Sequence, residues 1–376
     1  MAAGRRSDDA TAPWKQSGGR PHLSSGPPPR NPRICFADDL AMGMDQMAFV
    51  IAQYGQGGPE VMRPEEREVE APAAALVRLK QEAVGFNYFD IMQRKGLLSG
   101  GDPGRIMGIE GAGIVTTVGP AAEGFAVGDR VGYLKSQGAY ADERLIEADL
   151  LFHLPEDVGF DMAAALTVKG FMAWLCACRL YQVRRGQTVL VTTAAGGVGS
   201  LLTLIAAYLG ARVIGMVGSE PKRAAARDNG AIDVAVGLDD TVELVARLTD
   251  GAGVDAVFDG LGADTAERLL ATGAIRSGGT IVSFGAAAGW PRANRDDIAR
   301  RGYSFLAPQA PDHIATASEL RGAMAEVFAL HRNGAFGEIP IKRHPLRDAV
   351  GTARHGPAFV RRAGGEPQYR RPWMAR

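Results

Sequence analysis

The chain has 376 residues, enough for two domains of ordinary size and a substantial core. Lysine plus arginine equals aspartate plus glutamate, 42 against 42, so the formal net charge is zero. A balanced surface lacks the electrostatic footprint that binding to nucleic acid or an anionic membrane leaves. Three cysteines cannot build a disulfide framework, which predicts a reducing, cytoplasmic setting. No uninterrupted apolar run reaches the ~20 residues of a membrane span.

Residues 1–46 are rich in Arg, Ser, Gly and Pro, including Ser24-Ser25-Gly26-Pro27-Pro28-Pro29, and have no periodicity. They are expected to be a disordered extension. No apolar stretch follows the basic residues, so this is not a secretory signal. The two readings are an upstream start, with Met44 or Met47 opening the folded protein, and an organellar transit peptide. From 47 to 166 short alternating runs such as 75–79 and 113–119 lie between glycines and predict a β-rich domain. From 188 the texture changes. Apolar strands at 189–193, 213–217, 254–258 and 280–284 alternate with amphipathic segments such as 241–248, which predicts a doubly wound parallel sheet. Glycine, at 49 residues, is frequent enough to serve the many tight turns of such a fold. The last sixty residues are mixed and end basic, with Arg361, Arg362, Arg370, Arg371 and Arg376 read as solvated charge.

The strongest local signal is the strand Thr188-Val189-Leu190-Val191, the turn Thr192-Thr193-Ala194-Ala195-Gly196-Gly197-Val198-Gly199, and an apolar helix from Ser200. The dinucleotide fingerprint falls on Ala194, Gly196 and Gly199, with alanine at its first glycine. Gly196 lets backbone N–H groups approach a pyrophosphate at the positive helix end, and Gly199 lets helix and strand pack closely. A tight turn alone would also explain glycines, but the strand before and helix after them are the contexts that confirm a dinucleotide site. The second strand ends in Gly218-Ser219-Glu220-Pro221-Lys222-Arg223. Glycine stands where an NAD site carries a carboxylate, and Ser219, Lys222 and Arg223 can donate to a 2′-phosphate. The cofactor expected is NADPH, with Glu220 the one opposing charge.

Several separated motifs then point one way: Tyr54-Gly55 with Gly58-Pro59-Glu60-Val61; Gly85-Phe86-Asn87-Tyr88-Phe89-Asp90 with Arg94-Lys95-Gly96; Gly108-Ile109-Glu110-Gly111-Ala112-Gly113; Val127-Gly128-Asp129-Arg130-Val131; Gly138-Ala139-Tyr140-Ala141; and Lys169-Gly170. With the glycine-rich turn they resemble the zinc-free quinone oxidoreductase (zeta-crystallin-like) branch of the medium-chain dehydrogenase/reductase superfamily, from about residue 47 to 347. The resemblance implies an α/β protein with a split GroES-like β-barrel catalytic domain (47–166 and 309–376) and a Rossmann NADPH-binding domain (167–308). It places Asn87 at the nicotinamide end and Lys169 on the cleft floor. Ala195, Gly196, Gly197 and Val198 would lie along the pyrophosphate, Gly218, Ser219 and Lys222 at the 2′-phosphate, and Phe284, Gly285 and Ala286 beside the nicotinamide. It also implies a homodimer.

Zinc-dependent relatives carry Cys and His-Glu in the cleft. Asn87 and Ile109-Glu110 stand at those positions, and there is no cysteine between 36 and 175, so no metal is expected. Cys176 and Cys178 read as core. Without a Lewis acid, a quinone or an activated enone is the acceptor expected, because its conjugation delocalises the incoming charge. Asn87, Tyr88 or Tyr133 are the candidate donors to its oxygen, with Asn87 and Tyr133 taken as catalytic and packing the competing reading for Tyr133. The alternatives are an enoyl-thioester reductase and, from another class, an RNA-binding or structural nucleotide-binding protein. Three departures from the resemblance are noted: Leu97 and Leu98 where a tyrosine often follows Gly96, no tyrosine in 234–237, and a proline in Gly356-Pro357-Ala358.

Overall fold

A computed structural model describes residues 47–98, 102–352 and, as backbone strand, 359–362. The expectations for 1–46, for Gly356-Pro357-Ala358 and for the basic tail beyond 362 lie outside the described residues. The N-terminal half is β-structure: β1 (Met47–Gln53), β2 (Met62–Glu68), β3 (Leu76–Gly85), β4 (Arg105–Ile106), β5 (Glu110–Val118), β6 (Arg130–Leu134), β7 (Glu143–Glu147) and β8 (Leu151–His153). β2-β1-β4 form one sheet, while β3, β5, β6 and β8 run antiparallel in a second, with β7 along the start of β3. Alternate residues Val77, Leu79, Val115, Val131 and Tyr133 point into one core with Phe49, Ile51 and Tyr140. One short helix, α1 (Tyr88–Arg94), follows β3 directly.

The C-terminal half holds six parallel strands: β9 (Thr188–Val191), β10 (Arg212–Val217), β11 (Ala231–Val236), β12 (Val254–Asp259), β13 (Ile275–Ser283) and β14 (Ser304–Leu306). Their order is β11-β10-β9-β12-β13-β14. The order reverses between β9 and β12, and ligands of open α/β sheets bind outside the carboxyl ends of strands at such a switch point. The final strands β15 (Lys342–Pro345) and β16 (Phe359–Arg362) return to the first half, where β16 pairs with β3.

Two helices position the crevice. α2 (Phe160–Trp174) lies between the halves, burying Ala164 and Ala165 against Ala83 of β3, and Leu166 and Phe171 in a cluster with Val189, Val191 and Leu202. The expected division at 166/167 therefore falls inside α2. The expectation about membrane spans needs a correction here. With its π-helical extension, the run Phe160–Leu180 has 21 residues, and its most apolar 18-residue stretch has a mean hydropathy of 1.3, enough by length and composition to cross a bilayer. Asp161, Lys169 and Arg179 interrupt its apolar residues, and 67 % of its most apolar stretch is buried inside this fold, as a central core helix should be. α3 (Gly197–Tyr208) starts from Gly196 in extended backbone and stops at Gly210, whose φ of +86° ends the helix as glycine can without strain.

Candidate functional site: the crevice between barrel and parallel sheet

Glu110 opens β5 and is fully buried. Its Oε1 accepts from Asn87 Nδ2 at 2.7 Å and from Lys169 Nζ at 3.1 Å, and its Oε2 accepts from the Val168 N–H at 2.7 Å. A buried carboxylate needs such a set of donors and a counter-ion to remain in the interior. Space for it comes from Gly85, where a Cβ would lie 2.0 Å from Glu110 Oε1. Barrel, α1 and α2 are thus tied together at one side chain. Asp90 supports the same corner: its Oδ2 accepts from the Asn87 N–H at 2.8 Å and the Tyr140 hydroxyl at 3.1 Å. Burial, with nearby Glu110 adding to it, pushes the Asp90 carboxyl up to about 7 against the opposing hydrogen bonds.

Lys169 carries the chain of contacts across the crevice. Its stem lies on the N-terminus of α3, where a Cβ at Gly197 would sit 3.4 Å from Lys169 Cδ. Gly196 and Gly197 are exposed, and no acidic residue stands in the first turn of α3. The Gly196 N–H donates to the Thr193 carbonyl at 2.7 Å, and the first-turn N–H groups after it meet no carboxylate of their own turn, an arrangement suited to a phosphate. Gly199 permits the close approach beneath them, since a Cβ would lie 1.9 Å from the Thr193 carbonyl oxygen. Ala195 and Val198 are half-buried on the same turn.

The far wall is built on Asp259, buried at the end of β12. It accepts from Thr192 Oγ1 at 3.1 Å, Ser283 Oγ at 3.0 Å and the N–H groups of Leu261 and Gly262 at 3.0 and 3.1 Å. These bonds link the ends of β9, β12 and β13. They hold Gly260 against Thr193 and Phe284, so that a Cβ at Gly260 would meet Thr193 Oγ1 at 2.4 Å and Phe284 Cζ at 3.0 Å. A Cβ at Gly285 would be as close to the Gly260 carbonyl oxygen, at 2.5 Å. Half-buried Ala286 follows, and the Ala287 carbonyl accepts from the Tyr88 hydroxyl at 3.4 Å, returning to the residue after Asn87. With the chain neighbours Gly196–Gly197 and Asn87–Tyr88, the contacts close a ring: Asn87, Glu110, Lys169, Gly197, Gly196, Thr193, Gly260, Ala287, Tyr88.

Of the residues expected at the site, Asn87, Lys169, Ala195, Gly196, Gly197, Val198, Phe284, Gly285 and Ala286 are brought together. Gly218, Ser219 and Lys222 stand one strand away, past the end of β10, with Gly218 and Lys222 exposed. Arg223 differs from expectation. Its guanidinium faces Glu220 Oε1 at 3.0 Å and donates to the Val234 carbonyl at 2.8 Å, whereas Lys222 forms no ion pair among the described residues.

Tyr133 must be withdrawn as a catalytic residue. It is fully buried in the barrel core, donates to Gln81 Oε1 and packs under the Arg144 guanidinium. Burial pushes its phenol up, away from proton transfer. Glu110 and Asp90 stood within quoted motifs and Asp259 in none, and no role was assigned to any of the three from sequence. For Glu110 and Asp259 the available signal was a carboxylate at the end of an apolar, glycine-flanked strand, which must find donors to be buried.

Among the described residues no group of three His, Cys, Asp or Glu is placed to hold a metal ion. Cys176 is buried and Cys178 half-buried; both are free thiols, and burial pushes both up, Cys178 to about 11.

Residues 73–156 match the alcohol dehydrogenase GroES-like domain, and residues 197–320 match the zinc-binding dehydrogenase family. A 2-haloacrylate reductase from Burkholderia is 34 % identical over 319 residues, covering 82 % of this chain and 95 % of that protein. A quinone oxidoreductase from Pseudomonas aeruginosa is 35 % identical over 311 residues, 81 % of this chain and 94 % of its own. Among solved structures, the Escherichia coli quinone oxidoreductase complexed with NADPH superposes with a TM-score of 0.78 at 31 % identity, over 84 % of this chain and all of that one. Barrel, parallel sheet and crevice agree with these likenesses, and the chain belongs to the quinone oxidoreductase branch of the medium-chain dehydrogenase/reductase superfamily.

Proposed function

We propose that this chain is an NADPH-dependent oxidoreductase that reduces a quinone or an α,β-unsaturated carbonyl without a metal. The observation that carries the reading is the closed ring of contacts around the switch point. It sets an exposed helix N-terminus, a cationic side chain and a glycine-lined wall on one crevice. These residues fit the cofactor. Gly196 and Gly197 leave room for a pyrophosphate at the first-turn N–H groups of α3, and Gly199 accepts the close strand–helix approach. Ser219 and Lys222, past a strand end without a carboxylate, suit a 2′-phosphate. Bound NADPH supplies a hydride from its nicotinamide ring.

The chain's own residues then position, exclude water and supply donors. Glu110 holds Asn87 and Lys169, Asp259 fixes the Gly260 wall, and the half-buried Phe284 and Ala286 line the nicotinamide side. The metal-free reading rests on the donor set. At the positions of the zinc ligands stand an amide, Asn87, and Ile109-Glu110, whose carboxylate already holds an ammonium and two N–H donors. That set differs from the three or four N/S/O ligands of a zinc site. The neutral charge and free thiols support a cytoplasmic enzyme not built for nucleic acid, and the open edge of β14 supports a homodimer.

The test is purified protein with NADPH against 1,4-naphthoquinone, but-3-en-2-one and crotonyl-CoA, following the absorbance of the reduced cofactor. Turnover of the quinone or enone, unchanged by a chelator, is expected. Turnover of the thioester alone would assign an enoyl-thioester reductase. NADPH uptake with no turnover would favour a structural or RNA-binding role.

A further inference from the structure

Reduction of a conjugated carbonyl requires one proton for every hydride taken up, and the crevice has few groups free to give one. Asn87 Nδ2 and Lys169 Nζ both face the Glu110 carboxylate, at 2.7 and 3.1 Å. Tyr133 and Tyr140 are fully buried, the first donating to Gln81 and the second to Asp90. Tyr88 differs from all of these. It is the first residue of α1, beside Asn87, and is 37 % exposed. Its hydroxyl reaches across the crevice to the Ala287 carbonyl at 3.4 Å, the weak end of hydrogen-bond distance. Ala287 follows Phe284, Gly285 and Ala286, so the phenol stands at the mouth between the barrel and the proposed nicotinamide wall. A phenol carries its proton at neutral pH and can exchange a long bond to a carbonyl for a short one to a developing oxyanion.

We propose that Tyr88 is the proton donor to the acceptor oxygen, a catalytic residue whose role rests on the enone or quinone reading above. The β-carbon of an enone gains a C–H bond with the two electrons of the hydride, and the nicotinamide is oxidised. The carbonyl π pair moves to oxygen as an enolate. The Tyr88 O–H bond breaks and the enolate O–H bond forms; the phenolate then recovers a proton from water, and the enol tautomerises to the ketone. A quinone spreads the incoming charge over a ring that becomes aromatic as the hydroquinone anion forms, so its reduction depends less on a proton donor at the oxygen.

The experiment compares wild type with Tyr88→Phe on but-3-en-2-one and on 1,4-naphthoquinone, with NADPH binding followed by fluorescence. Removing a general acid should lower kcat for the enone by about 10²-fold, with kcat for the quinone and NADPH affinity changed by no more than about threefold. A second readout needs no cofactor. The coloured anion of 2-hydroxy-1,4-naphthoquinone, an enolate mimic, should bind Tyr88→Phe about tenfold more weakly, the worth of one charge-assisted hydrogen bond. Equal enone kcat in the two proteins, or equal affinity for the naphthoquinone anion, overturns the assignment of Tyr88. Failure of the wild type to oxidise NADPH with either acceptor overturns the functional reading itself, and with it this inference.

Discussion

Glu110 is the side chain on which the crevice depends, because one fully buried carboxylate organises groups from β5, α1 and α2. Glu110→Ala strands the Lys169 ammonium, whose side chain is only 14 % exposed. Breaking a buried pair from one side costs roughly 3–5 kcal/mol. Urea unfolding should show a loss of that size, and Lys169→Met in the same chain should restore part of it. A loss below about 1 kcal/mol would mean that the pair is not holding the corner. Asp90 makes a different prediction, about pH. Its carboxyl is pushed up to about 7 in the folded chain, against about 4 in an unfolded one, so the folded state holds the extra proton. Its contribution to stability is present below about pH 4 and is lost as pH rises towards and through 7. Asp90→Asn keeps an acceptor for the Asn87 N–H and the Tyr140 hydroxyl while removing the titration. Unfolding midpoints measured from pH 5 to 8 should therefore fall less steeply in the variant; equal slopes would contradict the account.

At the scale of elements, the meeting of β9 and α3 decides whether a dinucleotide can approach. A methyl at Gly199 points at a backbone oxygen 1.9 Å away, which no rotamer change can relieve. Gly199→Ala should destabilise the chain by at least about 2 kcal/mol and abolish NADPH binding, read by thermal unfolding and fluorescence titration. Gly218→Ala is the contrast, since nothing lies within 4 Å of a Cβ there, and it should unfold like wild type. This element was legible in the sequence because strand, turn and helix are contiguous and each part constrains the next. The parallel strands were legible for a similar reason: β9, 213–217 of β10, 256–258 of β12 and 281–282 of β13 are buried on both faces and read as short apolar runs. The helix Ala317–Arg332 was not singled out within the mixed C-terminal texture, although it buries Val327 and Phe328 against the core around α2. Its buried face is narrow and is completed only by residues some 150 positions earlier.

Across the whole molecule, the site joins residues that sequence spacing cannot relate. Asn87, Lys169 and Ala286 were placed by resemblance, and what joins them is carried by two carboxylates given no role from sequence, Glu110 and Asp259. Tyr133 shows the converse. As a candidate donor it competed with packing, and packing prevails, because the two-residue period of β6 turns it into the core. Arg223 pairs with Glu220 one helical turn before it and donates to the Val234 carbonyl, whereas Lys222 forms no ion pair among the described residues.

The central claim is that the crevice takes up NADPH and prefers it through its 2′-phosphate. Calorimetric titration of the purified chain with NADPH and NADH, on wild type and on Lys222→Ala, tests it most directly. The account predicts one NADPH per chain, NADH weaker by about tenfold or more, and a Lys222→Ala variant that loses about tenfold for NADPH alone, the worth of one phosphate–ammonium contact. Heat from neither coenzyme would contradict the claim outright, and equal losses for both in the variant would contradict the placement of the 2′-phosphate.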